Sequence, residues 1–336
     1  MDAPAAVFRV ADAWRGEWMG PSLFRRGGST LHYVGPAGPD AAGIPLPGVL
    51  LPGFCDHHVH LQLHPADVLE PLATGGLSRV IDLGGNPDWL ATMAEPSPFD
   101  ALIDFAGAFL TAPGGYPSDR AWAPAGSVRE IASADDAELA VAEQLAAGAS
   151  RIKIALHADA GPVWSDELLA DVIAEARAAG LPVVAHVEGA GQAARAIAAG
   201  VEMLAHTPFS EVLEESLITQ AAAQGQRWVS TLAIHEPTER ANALANVRAF
   251  RAAGGELLYG TDLGNGDQPL GVNLAELAAL AEAGLDETGV LRALVGGFGR
   301  GRWKKRLTWM PARPTGLPDL VGAVSVSVSD LESVGA

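Results

Sequence analysis

The segment VLLPGFCDHHVHL occupies positions 49–61 and joins an apolar run to a group of histidines. A short apolar run of this kind predicts a buried strand, and His58 and His60 stand at its end. Side chains two residues apart on an extended chain point the same way, so both imidazoles can reach one point. Neutral imidazole is a common ligand of zinc-like metals. Alone the pair is a weak signal, because most His-x-His pairs bind nothing.

Further short apolar runs follow this strand and alternate with alanine-rich stretches. The stretch SDELLADVIAEARAAG at 165–180 is typical of a helix, since its apolar residues have helical spacing and glycine ends it. Eight parallel strands with interleaved helices over roughly 250 residues predict an α/β fold of the (β/α)₈ TIM-barrel type. A doubly wound sheet competes, but it would need a glycine-rich phosphate loop where this chain has DHHVHLQLH. The predicted strands cover 49–56, 78–84, 101–110, 150–156, 182–187, 202–206, 227–232 and 256–262.

The two ends of the chain have a different pattern from the middle. Residues 1–48 contain short strand-like runs broken by Gly and Pro, which predicts part of a small β domain. Residues 49–305 are assigned to the barrel. Residues 306–336 are irregular and then strand-like at VGAVSVSVSD, so they either return to pack on the small β domain or form a loose end.

The composition limits the classes of partner. With 40 acidic against 22 basic residues the formal charge is −18, which repels phosphate backbones and anionic lipid. We therefore expect neither nucleic acid nor a membrane as partner. A single cysteine, Cys55, excludes an intrachain disulfide and fits a reducing compartment. The absence of a signal-peptide pattern and of long apolar runs predicts a cytoplasmic location.

Other chemistry-bearing residues stand inside or at the ends of the predicted strands. Lys153 lies within SRIKIAL, where an unpaired ammonium would be costly to bury. His186 ends PVVAHV, His206 ends EMLAH and Asp262 ends ELLYGTD. Each residue taken singly has an ordinary explanation. Lys153 could extend its ammonium group to the surface, and each histidine could be a hydrogen-bonded residue of the core. Strand ends on one face of a barrel bring them together, however, which predicts a shared site there.

These segments resemble the amidohydrolase superfamily, specifically its imidazolonepropionase-like and prolidase-like members. The similarity is carried by LPGFCDHHVHL, GLSRVIDLGGNP, FLTAPGGY, GASRIKIAL, GLPVVAHVEGAGQAARAIAAGVEMLAHTPF and LLYGTDLG, in that order. It runs from about Val49 to about Leu294 and so covers most of the chain. Each piece is modest, but their combination is highly specific.

The resemblance implies a binuclear metal centre with two divalent ions, for which zinc is the expected metal. One ion would be bound by His58, His60 and Asp262, and a second by His186 and His206. Lys153, as a carbamate, would bridge the two. Asp262 would be the general base for a metal-bridging hydroxide that cleaves an amide, cyclic amide or dipeptide C–N bond.

The resemblance also implies a small β-sandwich built from both chain ends. Here the chain departs from the family pattern. The segment 295–323 keeps only PDLV as a trace of the expected sequence. We therefore expect a reduced sandwich and an unaffected metal site.

Three alternatives remain open at the level of sequence. A mononuclear aminohydrolase or deaminase, or a ring-opening imidazolonepropionase-like enzyme, would leave Lys153 a spectator. A lactone or carbamate esterase would use the same chemistry, and a non-catalytic barrel would use none. The expected partner is a small-molecule substrate, with homo-oligomerisation left open. The candidate substrate-binding residues are Tyr116, His157 and His235, and Arg120 and Arg240 are candidates to meet a carboxylate.

Overall fold

The structure is a computed structural model that describes residues 6–95, 97, 99–296 and 303–334. Within these residues the strands form one seven-stranded sheet from the chain ends and two parallel sheets from the middle. In chain order the strands are β1 (Val7–Ala13), β2 (Ser22–Gly27), β3 (Thr30–Pro36), β4 (Ile44–Pro52), β5 (Phe54–Val59), β6 (Leu77–Asp82), β7 (Leu102–Phe105), β8 (Phe109–Thr111), β9 (Val128–Glu130), β10 (Ile152–His157), β11 (Val183–Glu188), β12 (Met203–Leu204), β13 (Arg227–Val229), β14 (Glu256–Leu258), β15 (Trp303–Lys304), β16 (Arg306–Met310) and β17 (Val324–Ser327).

α-Helices connect most of the central strands. The helix predicted at 165–180 is present with slightly shorter bounds, and the Ser165 hydroxyl caps it by accepting a hydrogen bond from the Leu168 N–H. In chain order the helices are α1 (Leu69–Thr74), α2 (Pro87–Met93), α3 (Ala134–Ala146), α4 (Asp166–Ala178), α5 (Gln192–Ala199), α6 (Glu215–Ala223), α7 (Pro237–Ala252), α8 (Leu274–Glu282) and α9 (Glu287–Val295).

The two parallel sheets join into a TIM-like barrel. One has the order β5-β6-β7 and the other β14-β13-β12-β11-β10-β8-β9, and the chain passes from β7 into β8. On the opposite side, the His57 N–H donates to the Tyr259 carbonyl oxygen at 3.0 Å, and the His60 N–H donates to the Leu263 carbonyl oxygen at 2.7 Å. The first and last strands are therefore hydrogen-bonded. The parallel α/β architecture is confirmed, and an open sheet is excluded.

The third barrel strand is interrupted, although the sequence predicts one strand over 101–110. It divides into β7 and β8 around Gly107, whose φ of 78° does not suit a strand. The Gln144 side chain lies against this break, because its Oε1 accepts a hydrogen bond from the Ala108 N–H at 2.8 Å. That side chain thus takes the place of a strand partner. The predicted strands at 202–206 and 256–262 are also shorter, and their polar residues lie in the following loops.

The terminal strands belong to one mixed sheet with the order β15-β3-β2-β1-β4-β16-β17. In the C-terminal segment, β16 pairs antiparallel with β4 and β17 pairs antiparallel with β16. The predicted β-sandwich is not confirmed, since the described terminal strands all lie in this single sheet. The segment between β16 and β17 contains a 3₁₀ helix at Leu317–Gly322 instead of a further strand. Residues 297–302 lie outside the described part, and the exact domain boundaries stay a prediction.

Apolar side chains fill the barrel beneath the polar strand ends. The buried cluster inside it contains Cys55, Ile81, Val184, Met203 and Leu258, among others. A much larger cluster lies between the strands and the helices. This packing leaves the strand ends as the place where polar side chains converge. Within the described residues, no helix combines the length and apolar character needed to cross a bilayer.

Candidate metal centre

Polar side chains from the carboxyl ends of the barrel strands line one cavity of about 190 Å³. All six residues predicted as metal ligands are among them. Tyr116 and His235 also line this cavity, whereas His157 is not among the lining residues; its Nε2 is 3.2 Å from Glu188 Oε2. Arg120 and Arg240 are not among the lining residues. The six predicted ligands are His58, His60, Lys153, His186, His206 and Asp262.

His58, His60 and Asp262 form the tightest group. Oδ1 of Asp262 lies 3.0 Å from His58 Nε2 and 3.2 Å from His60 Nε2, and these two nitrogens are 3.2 Å apart. A tetrahedral ion with ligand distances of about 2.0–2.1 Å would place its ligand atoms about 3.3 Å from one another. The three donor atoms thus have about the spacing expected for three ligands of one tetrahedral metal ion.

The hydrogen bonds behind these imidazoles determine which nitrogen is free. Nδ1 of His58 is 2.8 Å from the Ala205 carbonyl oxygen, and Nδ1 of His60 is 3.0 Å from that of Gly84. A carbonyl only accepts, so Nδ1 carries the proton in both rings and Nε2 keeps its lone pair. In a buried site these atoms repel one another unless a cation lies between them, either a metal ion or a proton on Nε2 of His60, whose pKa is raised by its hydrogen bond with Asp262 against the effect of burial. These residues therefore fit a metal ion.

Asp262 is held in an unusual backbone conformation. Its φ is 56°, and its side chain accepts a hydrogen bond from Asn265 Nδ2 at 3.0 Å through Oδ2. Burial alone would raise its pKa, but the neighbouring His58, His60 and His206 hold the pKa of Asp262 well below its ordinary value. The carboxylate is thus ionised, with Oδ1 directed at the imidazoles.

Lys153 is buried on β10 and is 1% exposed. Its Nζ lies 5.7 Å from the centroid of the Phe109 ring, and no described carboxylate lies within ion-pair distance of it. Desolvation lowers the pKa of Lys153 to about 7, against the opposing charges of Asp262 and Asp82. A substantial fraction of the amine is therefore neutral near pH 7, which is the form that reacts with carbon dioxide.

His206 and His186 complete the predicted ligand set. The ring of His206 is 4.6 Å from that of His58 and 5.0 Å from that of His186, measured between centroids. Nδ1 of His206 hydrogen-bonds the Thr231 hydroxyl at 2.9 Å. Nε2 of His186 is buried without an aligned hydrogen bond, although Glu188 Oε2 lies 3.2 Å away.

Glu188 is a functional candidate that the sequence analysis missed. It lines the cavity, and its Oε2 lies 3.2 Å from Nε2 of both His157 and His186. The sequence did carry a signal for it. Glu188 follows His186 by two positions at the end of PVVAHVE, so both side chains point to the same side of β11.

Three further buried carboxylates, also missed, hold the loops that carry the ligands. Asp56 accepts hydrogen bonds from the His58 N–H and from the N–H and hydroxyl of Thr261, which fixes the first strand against the last. Asp82 accepts from the N–H groups of Leu61 and Gly84. Glu276 of α8 accepts from the Leu232 and Ala233 N–H groups, beside the loop of His235.

We expect Glu276→Leu to lower the free energy of unfolding by about 2–4 kcal/mol, because it leaves two buried backbone N–H groups without acceptors. The side chain is 0% exposed, so water cannot replace it readily. Glu276→Gln keeps one oxygen and should cost less. Urea unfolding of both variants checks this, and equal stability of Glu276→Leu and the unsubstituted protein would contradict it.

No family model and no curated protein matches this sequence. Solved structures do match over nearly the whole chain. A Xaa-Pro dipeptidase with bound methionine is 16% identical at a TM-score of 0.76, covering 98% of both chains. The A. niger ochratoxinase is 17% identical at 0.78, covering 95% of this chain and 92% of that one. A putative prolidase from Bifidobacterium longum is 19% identical at 0.75, covering 98% of both chains. At such identities the matches establish the shared fold.

Proposed function

We infer that this chain, which has the fold of the amidohydrolase superfamily, is a metal-dependent hydrolase that cleaves an amide, cyclic amide or dipeptide C–N bond of a small molecule. The solved structures with this fold include a Xaa-Pro dipeptidase and an amidohydrolase. The observation that carries the proposal is the group formed by His58, His60 and Asp262. Its lone pairs converge at distances that suit a divalent cation.

The chain offers ligands for two ions. His58, His60 and Asp262 would hold one, and His186 and His206 the other, with a carbamate on Lys153 between them. His58, His206 and Asp262 bring donor atoms within 4.8 Å of one another. Zinc suits this set of nitrogen and oxygen donors. Bound divalent ions would lower the pKa of a water molecule and polarise the scissile carbonyl.

Asp262 is the proposed base. Its ionised carboxylate can accept the proton of the attacking water and transfer it to the leaving nitrogen. Its backbone and its hydrogen bond with Asn265 keep Oδ1 in one position. This pre-set orientation avoids reorganisation during proton transfer.

Tyr116 and His235 are proposed to orient the substrate as neutral groups. Burial raises the pKa of Tyr116, and it lowers the pKa of His235 to about 4. Nε2 of His235 is buried without a hydrogen-bond partner among the described residues, so it can bond a substrate in the cavity. Phe109 and Phe209 also line the cavity and limit the access of water to it.

The test combines metal removal with a panel of dipeptides, N-acyl amino acids and cyclic amides. We expect a chelator to abolish hydrolysis and added divalent metal to restore it. His58→Ala should lower the metal content, whereas His32→Ala, at an exposed position of β3, should not. Metal per chain is measured by elemental analysis. Full hydrolysis by the chelated protein, or unchanged metal content in His58→Ala, would overturn the proposal.

A further inference from the structure

Most of the charged side chains that line the cavity are carboxylates. Glu188, Glu239 and Asp262 line it, and among its described lining residues Lys153 is the single lysine or arginine. Lys153 is 1% exposed, whereas the side chains of Glu188 and Glu239 are 28% and 45% exposed. The outer part of the cavity therefore presents carboxylates to an incoming substrate.

The arginines that could meet a substrate carboxylate are engaged elsewhere. Arg240 pairs with Glu282 at 2.7 Å and donates to the Leu232 carbonyl oxygen. Arg120 pairs with Asp119 at 3.3 Å, and its guanidinium carbon is 5.7 Å from the centroid of the Tyr116 ring. Neither lines the cavity. A free carboxylate on the substrate would thus lack a cationic partner in the outer cavity.

Aromatic rings form another part of the same wall. The Trp122 ring lies 6.0 Å from that of Tyr116 and 6.2 Å from that of Phe109, and all three residues line the cavity. Trp122 is 41% exposed, which is unusual for so large an apolar residue. Aromatic faces attract cations, most strongly those of Trp. Nε2 of His235, whose side chain is 5% exposed, has no hydrogen-bond partner among the described residues and lines the same cavity, which points to a ligand there.

We propose that the cavity selects amide substrates that carry an ammonium group, which binds between the carboxylates of Glu188 and Glu239 and the rings of Tyr116 and Trp122. Carboxylates supply the opposite charge, and the aromatic faces replace part of the water lost from the cation. This specificity rests on the proposed hydrolase function, since it describes the substrate of that same site. It disfavours dipeptides with a free carboxylate among the candidate substrates.

Binding is tested on the metal-loaded protein with two molecules of the same shape. Choline carries a quaternary ammonium, and in dimethylbutanol carbon replaces the charged nitrogen. Neither quaternary centre can bind a metal, and the hydroxyl is common to both. Isothermal titration should give a Kd for choline that is lower than the Kd for dimethylbutanol by about tenfold or more. Equal or tighter binding of dimethylbutanol would overturn the proposal.

Substitutions of the cavity carboxylates test which residues bind the ammonium group. Glu239→Gln and Glu188→Gln should each weaken choline binding several-fold and leave dimethylbutanol binding unchanged, whereas Glu138→Gln, exposed on α3, should change neither. Glu239→Gln is the cleaner variant, because Glu188 also contacts His186. An unchanged Kd for choline in both cavity variants would refute the assignment.

A kinetic experiment separates the proposed ammonium selection from the proposed hydrolase function. Aminopentanoyl, hexanoyl and adipoyl para-nitroanilides differ in carrying a cationic, neutral or anionic end. We expect kcat/KM to be highest for the aminopentanoyl compound and lowest for the adipoyl one. Hydrolysis with the reverse order would refute ammonium selection and leave the hydrolase function standing. A choline preference without hydrolysis of any amide would support ammonium binding and contradict the hydrolase.

Discussion

Asp262→Asn should remain folded and keep bound metal while kcat falls by about 10²- to 10⁴-fold, the usual effect of removing a general base. The amide retains one oxygen as a ligand but cannot accept a proton at neutral pH. Asparagine also tolerates the positive φ of 56° at this position, so the loop should keep its conformation.

The measurements are circular dichroism, metal per chain and the rate of amide hydrolysis. Asp267→Asn is the matched control, because Asp267 is exposed in the same loop and does not line the cavity. It should retain near-normal rates. A near-normal rate in Asp262→Asn would contradict the role of base. Loss of fold would instead assign Asp262 a structural role.

Lys153→Ala should lower the metal content from near two ions per chain to near one and reduce kcat/KM by orders of magnitude. The substitution removes the amine that would carry the bridging carbamate. Because the pKa of Lys153 lies at about 7, the neutral amine dominates above that pH and the ammonium below it. Reconstitution of metal-free protein should therefore be faster at pH 8 than at pH 6 and should require bicarbonate.

Elemental analysis and stopped-time activity assays follow this reconstitution. Lys305→Asn is the control, since Lys305 is exposed beside the terminal sheet and asparagine tolerates its positive φ. One ion per chain with full activity in Lys153→Ala would favour the mononuclear alternative. Reconstitution that is independent of bicarbonate would contradict the carbamate.

The pattern of the sequence predicted most of the barrel. The strand Val183–Glu188 is short, begins with three apolar residues and carries His186 and Glu188 towards its carboxyl end; its apolar start follows from burial on both faces. The prediction of one strand over 101–110 was wrong, because the strand is interrupted at Gly107. There the Gln144 side chain accepts the hydrogen bond of the Ala108 N–H in place of a strand partner. The predicted β-sandwich of the chain ends is not confirmed, since the described terminal strands lie in one sheet.

By itself, the sequence determined that imidazoles, a lysine and a carboxylate would meet at one end of a barrel, because strand periodicity directs the side chains of His58 and His60 to the same side. Tertiary structure alone decided which nitrogen of each ring is free. The carbonyl oxygen of a distant residue, such as Ala205 for His58, accepts the proton on Nδ1 and leaves Nε2 free. It also decided that Glu188 and Glu239 line the same cavity as Tyr116 and Trp122, while Arg240 pairs with Glu282. Contacts of this kind depend on distances between residues far apart in the chain, which local pattern does not encode.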